Sequence, residues 1–187
     1  MRYVVLSFLS MLCLFPGYGQ AMEIEGVHLA DTIQLEGKTL QLNGAGIRSK
    51  FFFDIYVAGL YLEHPSASAS AMISDHGSKR VTMSFLYSEV DKEKLIGGWH
   101  QGFARNQTRE GMSLLHARLE QFSTFFEDGK RGDAIIFNFL SDGSTHVIIK
   151  GHEKGVIQGT GFQQALLAVW LGDHPADDDL KQAMLGK

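Results

Sequence analysis

The sequence predicts an α+β fold, an antiparallel sheet with helices layered on one face. Three observations predict it. Strand-like segments with period two come in groups, and helix-like segments with apolar spacings of three and four also come in groups. The regular strand–helix alternation that a doubly wound sheet requires is absent. The composition, 44% hydrophobic and 20% charged over 187 residues, is ordinary for one soluble globular domain with at most a short appendage. A net charge of −4 gives no sign of a nucleic-acid surface.

That appendage comes first. Arg2 precedes the apolar run "VVLSFLSMLCLF", and Gly19-Gln20-Ala21 has the small-x-small form of a cleavage site. Residues 1–21 read as a signal peptide, with Met22 opening the mature chain and a retained anchor as the alternative. The run is too short for a confident membrane span, and no transmembrane segment is expected in the mature chain. Cys13 is the only cysteine, and Leu12 before it argues against lipidation. Without Cys13 the mature chain has no thiol, which excludes disulfides, cysteine metal sites and cysteine nucleophiles. Export without disulfides suggests a bacterial periplasm.

"MEIEGVHL" and "TIQLEGKTLQLNG" alternate and are broken by Gly26 and Gly37, so they read as short strands. Residues 51–62 read as a longer buried strand, with Phe51, Phe52 and Phe53 in a core. "HPSASASA" reads as a polar connection and "KRVTMSFLY" as another strand. Ser88 and Asp91 suggest a capping box, so a helix is expected from about Glu89, carrying Leu95, Trp99 and Phe103 and breaking near Gly97-Gly98. Met112, Leu115, Leu119, Phe122 and Phe126 share one face of a longer helix. "DAIIFNFL", "SDGS" and "THVIIKG" read as a β-hairpin. Thr160 is expected to cap "GFQQALLAVWL", which Gly172 ends. Asp177, Asp178 and Asp179 suit the positive end of a last helix.

Few motifs carry chemistry. Gly44/Gly46 and Gly159/Gly161 lack the third glycine of a dinucleotide loop, and the first pair reads as backbone freedom at a turn or bulge. His146 and His152 share strand parity, but no third ligand lies nearby, so no metal and no cofactor are expected. No Gly-x-Ser-x-Gly elbow is present. "EDGKRGD" reads as a solvated loop. Trp99, Phe103, Phe162 and Trp170 are either core or the lining of an apolar ligand cavity.

Arg48 stands out, because it lies beside the apolar run 51–62. It has three readings: a surface arginine with its stem on apolar neighbours, a salt bridge to Asp54 or Glu63, or a cation facing a cavity and awaiting an anion. The planar guanidinium matches a carboxylate with two parallel hydrogen bonds, and Tyr56 and Tyr61 can each add a neutral donor. Tyr56 carries a condition. Eight residues of straight strand span roughly 26 Å, so Arg48 and Tyr56 meet only if the chain turns back near residues 49–53.

"GAGIR…IYVAGLYLE" also resembles a family signature, that of the chalcone isomerase-like superfamily and in particular its bacterial secreted branch. The matching residues are Gly44, Gly46, Arg48, Gly59, Tyr61 and Leu62. "ALLAVWLGDHPADDDLKQAML" is similar to that family's last two helices, and the resemblance runs from about Glu25 to Leu185. It implies an open-faced β-sandwich with a ligand cleft between sheet and helical layer, and an Arg48 that faces the cleft. Family members are either isomerases that close a chalcone to a flavanone or proteins that bind fatty acids. The enzymes have a threonine where this chain has Tyr56, a tyrosine and an asparagine near Lys92 and Trp99, and a threonine at Val169. Fatty-acid binders have a tyrosine at the Tyr56 position. Losing those enzyme groups removes what would stabilise an enolate. The expectation is therefore a periplasmic, non-catalytic binding protein for a fatty acid or similar amphiphile, with Arg48, Tyr56, Tyr61, Trp99 and Val169 at the ligand. A chalcone isomerase-type intramolecular lyase and an interaction module with a closed cleft are the alternatives.

Overall fold

Alternating apolar residues give a sheet one face that must be covered, and amphipathic helices are the cover. The computed structural model describes residues 21–187, so the expected signal peptide, Ala21 apart, lies outside the described residues. Along the chain the elements are β1 (Met22–Ile24), β2 (Val27–Leu29), β3 (Thr32–Leu35), β4 (Lys38–Lys50), β5 (Phe53–Leu62), α1 (Ala69–Ser74) and β6 (Lys79–Phe85). There follow β7 (Glu89–Val90), α2 (Lys92–Asn106), α3 (Arg109–Ser123), β8 (Gly129–Lys130), β9 (Ala134–Phe139), β10 (Ser144–Ile149), β11 (His152–Gln158), α4 (Thr160–Leu171) and α5 (Asp178–Met184).

Seven strands form one antiparallel sheet in the order β11-β10-β9-β6-β5-β4-β3. The helices lie on one face of it. From the sheet, Tyr56, Leu60, Met83, Phe137 and Val147 enter the main core, where they meet Trp99, Phe122, Phe162 and Trp170 from the helices. Helix α4 is apolar on every side because it packs against α1, α2 and α3 as well as β10. Its one buried polar side chain, Gln163, donates to the carbonyls of Leu140 and Ser144 at 3.0 and 2.7 Å. The other sheet face is partly covered. The β1–β2 hairpin places Leu29 over Val57 and Leu86, and Tyr61 packs with Leu35, Leu40 and Leu140.

Several local expectations are overturned. Phe51 and Phe52 form a tight turn rather than the start of a buried strand. They are 86% and 99% exposed, and Phe53 is 55% exposed. Glu89 belongs to a short strand paired with Lys130. Helix α2 starts instead at Lys92, capped by the Asp91 carboxylate accepting from the Lys94 amide at 3.0 Å. The helix runs unbroken through Gly97-Gly98. Helix α1 arises inside the stretch read as a connection, capped by Ser68. Strand β11 extends the expected hairpin to a three-stranded meander. The residue at the N-cap of α4 is Gly159, at φ +115°, and not Thr160.

Gly44 and Gly46 answer to space rather than to backbone freedom. A bulge does interrupt the β4–β5 register between Leu42 and Gly44, but neither glycine has a positive φ. A Cβ on Gly44 would run into the Ala183 carbonyl oxygen, and one on Gly46 would lie 2.6 Å from the Ala183 side chain. Helix α5 therefore lies directly on the backbone of β4. The bulged Asn43 fastens it by donating to the Met184 carbonyl at 2.7 Å.

Candidate functional site

The turn at Phe51-Phe52 meets the condition set by the sequence. Strand β4 folds back onto β5, and Arg48 is the direct cross-strand partner of Tyr56. The guanidinium carbon stands 5.7 Å from the centre of the Tyr56 ring, within cation–π range. Both salt-bridge readings of Arg48 fail. Asp54 accepts from the Ser49 hydroxyl at 2.7 Å, and Glu63 pairs with Lys38 at 2.8 Å. Among the described residues Arg48 makes no ion pair, and its Nε is buried without a hydrogen-bond partner.

Arg48 lines a cavity of about 350 Å³ between the sheet and helix α2, at the lower end of small-molecule pockets. Tyr56, Trp99 and Val169 line the same cavity, so four of the five expected residues come together. Tyr61 does not. Side chains five apart on a regular strand point to opposite faces. Tyr61 accordingly pairs across to Arg80 on the far side of the sheet, away from the cavity. Lys92, at the loosely aligned enzyme position, is exposed and lies outside the cavity wall. Ile55, Met83, Phe85, Leu95 and Val169 make much of the lining apolar, and Lys50, Tyr87 and Glu89 are also part of it.

Sequence reasoning treated Trp170 as core or lining without a polar role. Its indole N–H donates to the Tyr56 hydroxyl at 3.1 Å. With that oxygen already accepting, the tyrosine proton is available for an acceptor in the cavity. The only signal in the sequence was the residue type, because α4 has no polar stripe to mark a special position. Trp99 contributes a further donor, since its Nε1 is buried with no partner. Three residues of the wall, Arg48, Tyr56 and Trp99, thus carry donors with no acceptor assigned to them. Buried donors without partners are costly, and an anionic acceptor would satisfy them.

Burial pushes the Tyr56 phenol up to about 12, even though Arg48 and the Trp170 hydrogen bond act the other way. Tyr56 therefore stays a neutral donor across the physiological range. Because the folded value is the raised one, the stability linked to this group is fully present below pH about 10, the ordinary value for a tyrosine, and is lost as pH rises through about 12. Thermal melts from pH 9 to 12 are expected to show a steeper alkaline loss for wild type than for Tyr56→Phe. Parallel curves would mean that Tyr56 titrates normally.

Other sequence features resolve as structure. His146 pairs with Glu153 at 3.1 Å. Among the described residues no group of three His, Cys, Asp or Glu is placed to hold a metal. The "EDGKRGD" segment carries ion pairs from Glu127 to Lys150 and Lys154, both at 3.2 Å. Among the described residues no helix is long and apolar enough to cross a membrane.

Comparison with known proteins supports this architecture. No curated protein matched the sequence. Among solved structures, a fatty-acid-binding protein of Arabidopsis thaliana superimposes with a TM-score of 0.66 at 14% identity, over 89% of this chain and 96% of that one. At that identity the likeness concerns the fold. A family profile described as chalcone isomerase-like matches residues 21–186, and with nearly the whole described chain inside that match, the protein belongs to the chalcone isomerase-like family.

Proposed function

We propose that this protein is a non-catalytic binding protein for a fatty acid or similar amphiphilic carboxylate. The reading rests on one observation: three residues whose donors lack acceptors, one of them an arginine, line a largely apolar cavity. A carboxylate fits the part of the wall formed by Arg48, Tyr56 and Trp99, while Glu89 and Asp91 also belong to the lining. The alkyl chain would lie against Met83, Phe85, Leu95 and Val169, where burial contributes about 25 cal/mol per Å² before the costs of association. The structural likeness to a fatty-acid-binding protein supports the same ligand class. Tyr56, Trp99 and Val169 stand where the enzymes of the family carry other groups, which favours binding over isomerisation.

The leader-like residues 1–21 support export, with the periplasm as the site of action. Two measurements test the proposal. Native mass spectrometry of the purified protein, followed by organic extraction, is expected to show a bound long-chain carboxylic acid. If no long-chain fatty acid binds the purified protein at micromolar concentration, the ligand reading fails. The intact mass of protein from a periplasmic fraction is expected to match a chain starting at Met22. A mass that includes residues 1–21 would remove the signal-peptide reading.

A further inference from the structure

The β4–β5 turn has a feature that binding inside the cavity does not use. Among the described residues, the exposed large apolar side chains are Met22, Phe51, Phe52, Phe53, Tyr87 and Leu114. Four of these six are gathered here, since Phe53 packs edge-on against Tyr87 with ring centres 5.5 Å apart. The backbone makes the arrangement more unusual. Phe51 has φ +57°, a region that disfavours bulky side chains and commonly holds glycine in such turns. A large aromatic residue is thus kept where both its exposure and its conformation are unfavourable.

We propose that this aromatic turn is a docking element for a lipid bilayer, and that it brings the cavity mouth to the membrane surface. The proposal rests on the amphiphile-binding reading of the cavity. Its first support is continuity, because Tyr87, which packs on Phe53, also lines the cavity, as does Lys50 next to Phe51. A poorly soluble amphiphile leaving a bilayer beside this turn would meet the cavity at once. The second support is shape. Phe51 and Phe52 project from a two-residue turn and are almost fully exposed. A fluid acyl layer accepts such a wedge without a matching pit. The third support is the flanking charge. Lys50 places an ammonium at the base of the turn, where a lysine beside inserted aromatic residues reaches the headgroup layer. Glu89, Asp91 and Lys94 also line the cavity, so charges of both signs stand near the turn, apolar insertion outweighs them, and binding should depend only weakly on salt.

Flotation with vesicles of mixed phosphatidylethanolamine and phosphatidylglycerol tests this. Wild type and Phe51→Gly/Phe52→Ser are compared with the same N terminus on both. The glycine relieves the backbone at position 51 and neither side chain lines the cavity, so the double variant is expected to fold at least as well. It should partition onto vesicles about a hundredfold less or weaker still, the order expected for withdrawing two phenylalanines from an apolar phase. Its affinity for a fluorescent long-chain fatty acid in vesicle-free solution should be unchanged. Equal flotation of the two proteins, or none by wild type, overturns the proposal. So does wild-type dimerisation that the double variant abolishes, because the turn would then be covered by a second copy. If neither protein binds the fatty acid in solution but only wild type floats, the membrane element stands and the cavity reading falls.

Discussion

Arg48→Ala is expected to weaken binding of a long-chain fatty acid by about 2–5 kcal/mol, the range for losing one partner of a desolvated, hydrogen-bonded charge pair. The corresponding fatty alcohol should lose much less. The difference arises because the apolar wall treats the two chains alike, whereas only the carboxylate uses the guanidinium fork. Arg48→Lys keeps the charge and loses the fork, so it should recover part of the loss. Tyr56→Phe should cost about 0.5–1.5 kcal/mol in affinity, as befits a neutral donor. It should also lower stability, because the Trp170 indole N–H loses its acceptor in a buried site. Titrating a fluorescent acid and its alcohol analogue against these variants separates the effects. If acid and alcohol respond equally to Arg48→Ala, the arginine is not the anchor.

Gly44→Ala is expected to destabilise the protein by about 1–3 kcal/mol, the usual cost of forcing atoms into a packed region. At about 2–4 °C per kcal/mol for a chain of this size, the melting temperature should fall by several degrees. The cause is backbone against backbone: the added methyl would meet the Ala183 carbonyl, which no side-chain rotation relieves. Gly97→Ala is the contrasting control. A Cβ there meets nothing within 4 Å, and the residue lies inside α2, so the change should stabilise by about 0.5–1 kcal/mol. If Gly44→Ala were as stable as wild type, α5 would not rest on β4 as described.

Much of this was legible in the sequence where local pattern and residue chemistry agreed. The long amphipathic segment became α3, although the helix ends at Ser123 and leaves Phe126 beyond it, and the Asp-rich stretch became α5, with Asp177 accepting from the Leu180 amide at 2.9 Å. The misplacement of Phe51–Phe53 has a simple origin. Their turn contains none of the usual turn residues, so three phenylalanines beside a strand read as more strand. Tyr61 could have been set aside by counting, since five positions from Tyr56 reverse the side-chain direction on a regular strand. The Gly-x-Gly pair was visible, but not its cause, which lies about 140 residues away in α5. The Trp170–Tyr56 hydrogen bond was hidden for the same reason, with its partners 114 positions apart.

That separation bears on how the protein is made. A chain synthesised only through β9 already contains the strand residues Met83, Phe85 and Phe137 that α4 later helps to cover. Loop closure over such distances is slow compared with local pairing. Until residues 160–184 arrive, the greasy side of the nascent sheet has only part of its shield and remains adhesive. If the polypeptide is exported unfolded, the pocket is completed only after the final helices have crossed, and C-terminal truncations should collect in aggregates rather than as a loosened domain.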